Sequence, residues 1–182
     1  MTMTLEGLHQ DFRDLLVLFA DAEVDFVIVG AYALAFHGAP RASGNIGLFI
    51  RPTAENSARV FGALAGFGAP LVSGGVTPAD FARPGTVYQI GLPPLRIDVL
   101  TEISGVTFDE AWASRVIAEV DGRAVDFIGK SVLLKNKEAA GHKTSPTWPG
   151  SDGRRPIRDG HGGAVQKSVT QHGRAARRCR RG

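Results

Sequence analysis

The chain has one cysteine, no long apolar run, and two residues each of tryptophan, tyrosine and methionine among its 182. With Cys179 alone, neither a disulfide framework nor a cluster of thiolate metal ligands can form within the chain. Apolar runs such as Leu15–Ala20 and Phe26–Val29 fall far short of the roughly 20 residues that a membrane-spanning helix needs. Met1–Asp14 carries acidic residues and lacks a basic segment followed by an apolar one, so no secretory leader is expected. These absences together point to a soluble cytoplasmic chain.

Positive charge is scarce where the apolar pattern is strong. Residues 1–143 hold 12 Lys/Arg against 16 Asp/Glu, a net −4, whereas residues 144–182 hold 9 against 2, a net +7. The overall +3 and the pI near 9.3 therefore belong to the last fifth of the chain. A basic nucleic-acid-binding body is excluded on that split. The length suits one domain plus an appendage.

Two periodicities alternate along residues 1–143. Leu5, Leu8, Phe12, Leu15, Leu16 and Phe19 recur at three- and four-residue steps, the apolar stripe of an amphipathic helix. Asp25–Val29 reads as a short buried strand that runs into Gly30-Ala31 and a small-residue helix, Tyr32–Phe36, broken by His37-Gly38-Ala39-Pro40. Ile46–Ile50 is a second strand, and Thr53 is placed to cap a helix over Ala54–Phe67. A short helical turn is expected from Thr77-Pro78-Ala79-Asp80, and strands over Thr86–Ile90 and Leu95–Leu100. Thr107 with Glu110 forms a capping box for a helix over Phe108–Arg115. Asp121-Gly122 is a two-residue hairpin signal between Val116–Val120 and Ala124–Ile128, and Ser131–Ala140 reads as a last helix. The order predicts an α/β (α+β) domain, a mixed sheet flanked by helices. From Thr144 neither period persists; Pro, Gly, Arg and Ser dominate, and such a segment buries too little apolar surface to offset its ordering entropy. Residues 144–182 are expected to be a disordered basic tail.

Chemistry concentrates between Val29 and Ile50. The stretch Val29-Gly30-Ala31-Tyr32-Ala33-Leu34-Ala35-Phe36-His37-Gly38, followed by Pro40-Arg41-Ala42-Ser43-Gly44-Asn45-Ile46-Gly47-Leu48, resembles the minimal nucleotidyltransferases of the DNA polymerase beta-like superfamily. These include the abortive-infection and toxin–antitoxin nucleotidyltransferases of bacteria and archaea. The resemblance spans about Asp25 to Lys143 and implies a nucleotidyltransferase-like fold. It also implies transfer of a nucleoside monophosphate from an NTP to a hydroxyl acceptor. Gly30, Ala31, Arg41, Ser43 and Gly44 would contact the nucleotide, whose phosphates approach backbone N–H groups at a helix start.

The family pattern further implies two Asp at i and i+2 of one strand, facing the same side, and a third Asp on a later strand. Together they hold two Mg²⁺ ions. This chain has Asn45 and Gly47 at the first two positions and keeps only the third, Asp98, as candidate metal ligand and catalytic residue. An amide oxygen and a missing side chain cannot neutralise two divalent ions. The resemblance therefore implies a degenerate enzyme, with Mg²⁺ as its cofactor only if active. The alternative is a non-catalytic module that binds a nucleotide or a cognate toxin or antitoxin.

Plainer roles stand beside these. Gly30-Ala31 can serve as a strand–helix turn alone, and Arg41 is either a phosphate contact or a solvated loop cation. His37 is expected to be a helix-end residue bonded locally rather than a general base. Asp98 shares a strand face with Arg96, its natural partner, although a site role is favoured. Lys135 and Lys137 are expected on a solvated helix face, and Phe108 and Trp112 in the core. In the family, a Lys-Asp-Leu-x-Asp stretch follows the last helix. Restoring one lost base after the Lys143 codon could turn the Thr-Ser-Pro-Thr-Trp-Pro-Gly that follows it into Asp-Leu-Ala-Asp-Leu-Ala-Arg. We therefore expect residues 144–182 to be a frameshifted terminus rather than an arm that grips nucleic acid.

Overall fold

The computed structural model of the chain describes residues 8–39, 43–92, 94–142 and 166–169. Helix α1 (Gln10–Asp21) starts where the His9 side chain accepts a hydrogen bond from the Asp11 N–H. Its stripe Phe12, Leu15, Leu16 and Phe19 is buried at i, i+3, i+4 and i+7. Strand β1 (Phe26–Val29) is buried along its whole length and passes without a loop into α2 (Gly30–Phe36). Strand β2 (Asn45–Ile50) leads to α3 (Ala54–Phe67), capped by the Thr53 hydroxyl and closed by Gly68 at φ +89°. The Gly68 and Ala69 N–H groups bond back to Ala65 and Leu64, so the helix ends where only a glycine enters the left-handed region cheaply.

A 3₁₀ turn (Pro78–Ala82) precedes the hairpin of β3 (Val87–Leu92) and β4 (Leu95–Leu100). Helix α4 (Phe108–Ala113) carries the expected Thr107/Glu110 capping box, and β5 (Val116–Val120) and β6 (Arg123–Phe127) turn at Asp121 and Gly122, both at positive φ. Helix α5 (Lys130–His142) follows, and β7 (Gln166–Val169) comes from the basic tail.

The seven strands form one sheet in the order β5-β6-β1-β2-β4-β3-β7. β1 runs antiparallel to β2 and parallel to β6; β2 runs parallel to β4, and β3 antiparallel to β4. The mixed sheet with helices is the α+β class expected from the alternating periods. The structure departs from the expected tail at four residues, because Gln166–Val169 pairs parallel with β3. Main-chain bonds to a sheet edge require no apolar face, so composition does not foretell such a strand. The remainder of 144–182, with the expected frameshift junction, lies outside the described residues.

Phe108 and Trp112 have the packing role expected, with an electrostatic addition. Phe108 is buried against Phe49 and stacks on Trp112, which is partly buried. The Arg51 guanidinium lies 4.5 Å from the Phe108 ring centre and the Arg115 guanidinium 4.0 Å from that of Trp112. Arg51 also bridges Asp25 and Asp109, and Arg115 pairs with Asp126.

Burial raises the Asp126 carboxyl above its ordinary range; Arg115 opposes that shift and nearby Asp25 adds to it. A carboxyl whose pKa rises on folding stabilises the fold while protonated and loses that contribution as pH climbs through the folded value. Asp126→Asn is therefore expected to flatten the fall in stability just above the ordinary carboxylate range. Urea midpoints collected across pH test this; a variant whose profile parallels that of the parent chain would assign the slope elsewhere.

Candidate functional site

The β1–α2 junction builds one wall of the candidate site. Gly30 sits at φ +76° with nothing within 4 Å of where a Cβ would lie, so the turn is both strained for other residues and open. Val29 occupies the N-cap position and no side chain caps this helix end. Ala31 follows in the first turn. At the far end of α2 the His37 Nε2–H donates to the Ile128 carbonyl at 2.7 Å. The expected local partner is thus corrected: the bond spans 91 residues and pins α2 to the end of β6. Phe36 stacked on Phe127 at 4.2 Å reinforces the same contact. With Nε2 committed as a donor, His37 holds the helix that carries Gly30.

Strand register builds the floor. Val29 pairs with Gly47, Gly47 with Asp98, and Asp98 with Gln89, so one row crosses β1, β2, β4 and β3 on a single sheet face. The adjacent row carries Asn45, Arg96 and Gly91. The three positions singled out for metal binding, Asn45, Gly47 and Asp98, are therefore brought together, as an i, i+2 pair beside a neighbouring strand requires.

What occupies them is not a metal-binding set. The Arg96 Nε–H donates to Asp98 Oδ1 at 2.8 Å and an Arg96 terminal N–H to Asp98 Oδ2 at 3.0 Å, a two-pronged pair. Gln89 Nε2 donates to the same Oδ1 at 3.1 Å. Both side chains are largely buried, at 23% and 17% exposure, where an unpartnered carboxylate would be costly. Gly47 supplies no ligand, and a Cβ there would lie 3.0 Å from a Val29 methyl. The donor set is thus one amide, one glycine and one carboxylate already bridged by a guanidinium, which does not fit a pair of Mg²⁺ ions. Among the described residues no group of three His, Cys, Asp or Glu side chains could hold a metal ion.

The remaining candidates divide. The Ser43 hydroxyl accepts from the Asn45 N–H and donates to the Asn45 carbonyl, both at 3.2 Å, a local turn that starts β2. Gly44 is pressed against the β3–β4 turn, its carbonyl accepting from the Arg96 N–H at 2.9 Å. Arg41 lies outside the described residues. Lys135 reaches Glu110 from the half-exposed face of α5, and this contact with the Thr107 backbone bond holds the Glu110 carboxyl below its ordinary range.

Gln89 is the residue that sequence reasoning missed. The antiparallel β3–β4 hairpin and its two-residue alternation place residue 89 opposite Asp98, a signal present in the sequence once the hairpin register is known.

No protein-family model matches the chain, and neither does any curated protein. Among solved structures, the fold is similar to that of a Thermotoga maritima protein provisionally designated a nucleotidyltransferase, with a TM-score of 0.54 at 12% identity. The likeness covers 78% of this chain and 89% of the other. Among the described residues no helix is long and apolar enough to cross a membrane. The row of Gly47 and Asp98 beside the β1–α2 turn thus sits in a fold that this chain shares with that protein.

Proposed function

We propose that this chain is a degenerate minimal nucleotidyltransferase, in which the fold persists as a non-catalytic module that binds a nucleotide or a partner protein. The observation that carries the reading is the Arg96–Asp98 pair, which occupies both oxygens of the last carboxylate beside a row that otherwise offers an amide and a glycine. The cation that the fold family takes from solution is here supplied as a guanidinium on the same strand. Without the ions, transfer loses several kcal/mol of charge stabilisation at the pyrophosphate leaving group. Binding loses less, since the Gly30–Ala31 turn still offers its backbone. The setting we assign is cytoplasmic, where nucleoside triphosphates are at hand, and the partner class is a cognate toxin or antitoxin.

Calorimetric titration with ATP, with and without Mg²⁺, and an assay for pyrophosphate release test this. The expected result is no pyrophosphate and no dependence of any nucleotide heat on Mg²⁺. Magnesium-dependent pyrophosphate release by the parent chain would overturn the reading.

Restoring the carboxylates is a stricter test of the site. Asn45→Asp with Gly47→Asp is expected to tighten Mn²⁺ binding by at least about tenfold, because cation affinity follows ligand charge. The new Cβ at position 47 crowds Val29, so the pair is best made with Val29→Ala as well. If the folded triple variant ignores Mn²⁺ in paramagnetic resonance titrations, the assignment of these three positions is wrong.

A further inference from the structure

Over residues 8–142 the outermost strands of the sheet, β5 and β3, differ in character. β5, Val-Ile-Ala-Glu-Val, carries the exposed Glu119 near its middle, a charge of the kind that blunts an edge. β3, Val-Tyr-Gln-Ile-Gly-Leu, has no charge and no proline over six residues and is rich in β-formers. That composition is the signature of a segment that recruits further strands. In the structure it is not left bare. β7 lies along it in parallel register, Val87 opposite Gln166 through Ile90 opposite Val169. β7 in turn contains Lys167, and lysine in an outermost strand discourages further pairing. The uncharged edge is thus covered by a strand that carries a charge.

We infer that the outer edge of β3 is a strand-acceptor surface, filled within the chain by β7. When β7 leaves, the edge pairs with the same edge of a second copy of this chain. Two identical edges related by a two-fold axis meet antiparallel, the more stable ladder, and neither brings a charge to repel the other. Main-chain bonds supply the affinity, as in other cases of strand addition. Tyr88 and Ile90 already sit in the core of their own subunit, which holds the template rigid before the second strand arrives. The C-terminal arm therefore acts as a guard that keeps the chain monomeric.

The test uses the full chain with Lys167→Pro and Ser168→Pro together. Adjacent residues of a strand direct their N–H groups to opposite sides, so one of the two substitutions must remove a bond toward β3. In hydrogen–deuterium exchange at low protein concentration, the outward amides of β3 are expected to lose protection by at least about tenfold while β1 keeps its own. In sedimentation velocity the variant is expected to double its mass with rising concentration, while the parent chain stays monomeric. Adding Val87→Lys, an edge charge, is expected to return the variant to a monomer without restoring exchange protection. Unchanged protection of β3 overturns the proposal. So does a monomer at every concentration, a parent chain that already dimerises, or an association that Val87→Lys does not suppress.

Discussion

Gly44→Ala is expected to destabilise the chain by about 3 kcal/mol or more, a large effect for one methyl group. At an ordinary position this exchange would help slightly, because alanine restricts the unfolded chain. Here a Cβ would lie 1.4 Å from the Pro94 carbonyl oxygen and 2.5 Å from its carbon. Both atoms are backbone, so no side chain can swing aside. The turn that carries Pro94 is fixed by the pairing of Leu92 with Leu95 and Gly91 with Arg96. Gly44 in turn accepts the Arg96 N–H at the start of the β2–β4 ladder. Relief of the clash must open that ladder at Asn45 and Arg96, the mouth of the candidate site. Gly62→Ala is the control: it lies within α3 with nothing near its Cβ position, and the helix should gain up to about 1 kcal/mol. Urea unfolding of both variants decides the matter, and similar midpoints for the two would show that the close approach at Gly44 is absent in solution.

Asn56→Ala is expected to cost about 3 kcal/mol, from hydrogen bonds rather than packing. Asn56 is 2% exposed in the first turn of α3, an unusual burial for an amide. Its Oδ1 accepts the Asp25 N–H at 2.8 Å, and its Nδ2 donates to the Asp25 and Arg51 carbonyls, each at 3.0 Å. The side chain therefore ties the entrance of β1 to the exit of β2, beside the Arg51 N–H to Asp25 carbonyl bond that closes the ladder at 3.1 Å. Truncation strands the Asp25 N–H and the Arg51 carbonyl without their side-chain partner. Arg51 would loosen with them, and through it the pairs to Asp25 and Asp109 and the contact with Phe108. Glu55→Ala provides the comparison. Glu55 is exposed and its ion pair with Arg59, one helical turn away, is worth only a few tenths of a kcal/mol. Equal losses from the two substitutions in chemical denaturation would refute the buried-amide account.

Much of the fold is legible in the sequence where a local device marks an element. Thr53 and Gly68 bound α3 at the predicted residues, and β4 and β5 also have their predicted bounds. Helix α1 is shorter than the stripe from Leu5 suggests, since the His9 cap sets its start and Leu8 is buried ahead of it. Leu5 itself lies outside the described residues. The last helix runs longer than predicted, from Lys130 through Gly141 to His142.

The candidate site was legible in part. Asn45, Gly47 and Asp98 were singled out as one cluster, and the strand register does place them side by side. The pairing of Arg96 with Asp98 follows from their i, i+2 spacing, yet the two-pronged geometry and the Gln89 contact do not. Gly44 was assigned to the nucleotide, whereas the structure adds a tight backbone approach that itself demands glycine.

By itself, then, the sequence determined most of the segments that become helices and strands, and the acidic body against the basic tail. Caps, turns and periods act over a few residues and can be read in order. Only the tertiary structure decided that Arg96 and Gln89 hold Asp98, that His37 reaches Ile128, and that β3 is covered by a strand from the tail. Those contacts form between residues brought together by the sheet, and their energy depends on burial and register that no local window contains.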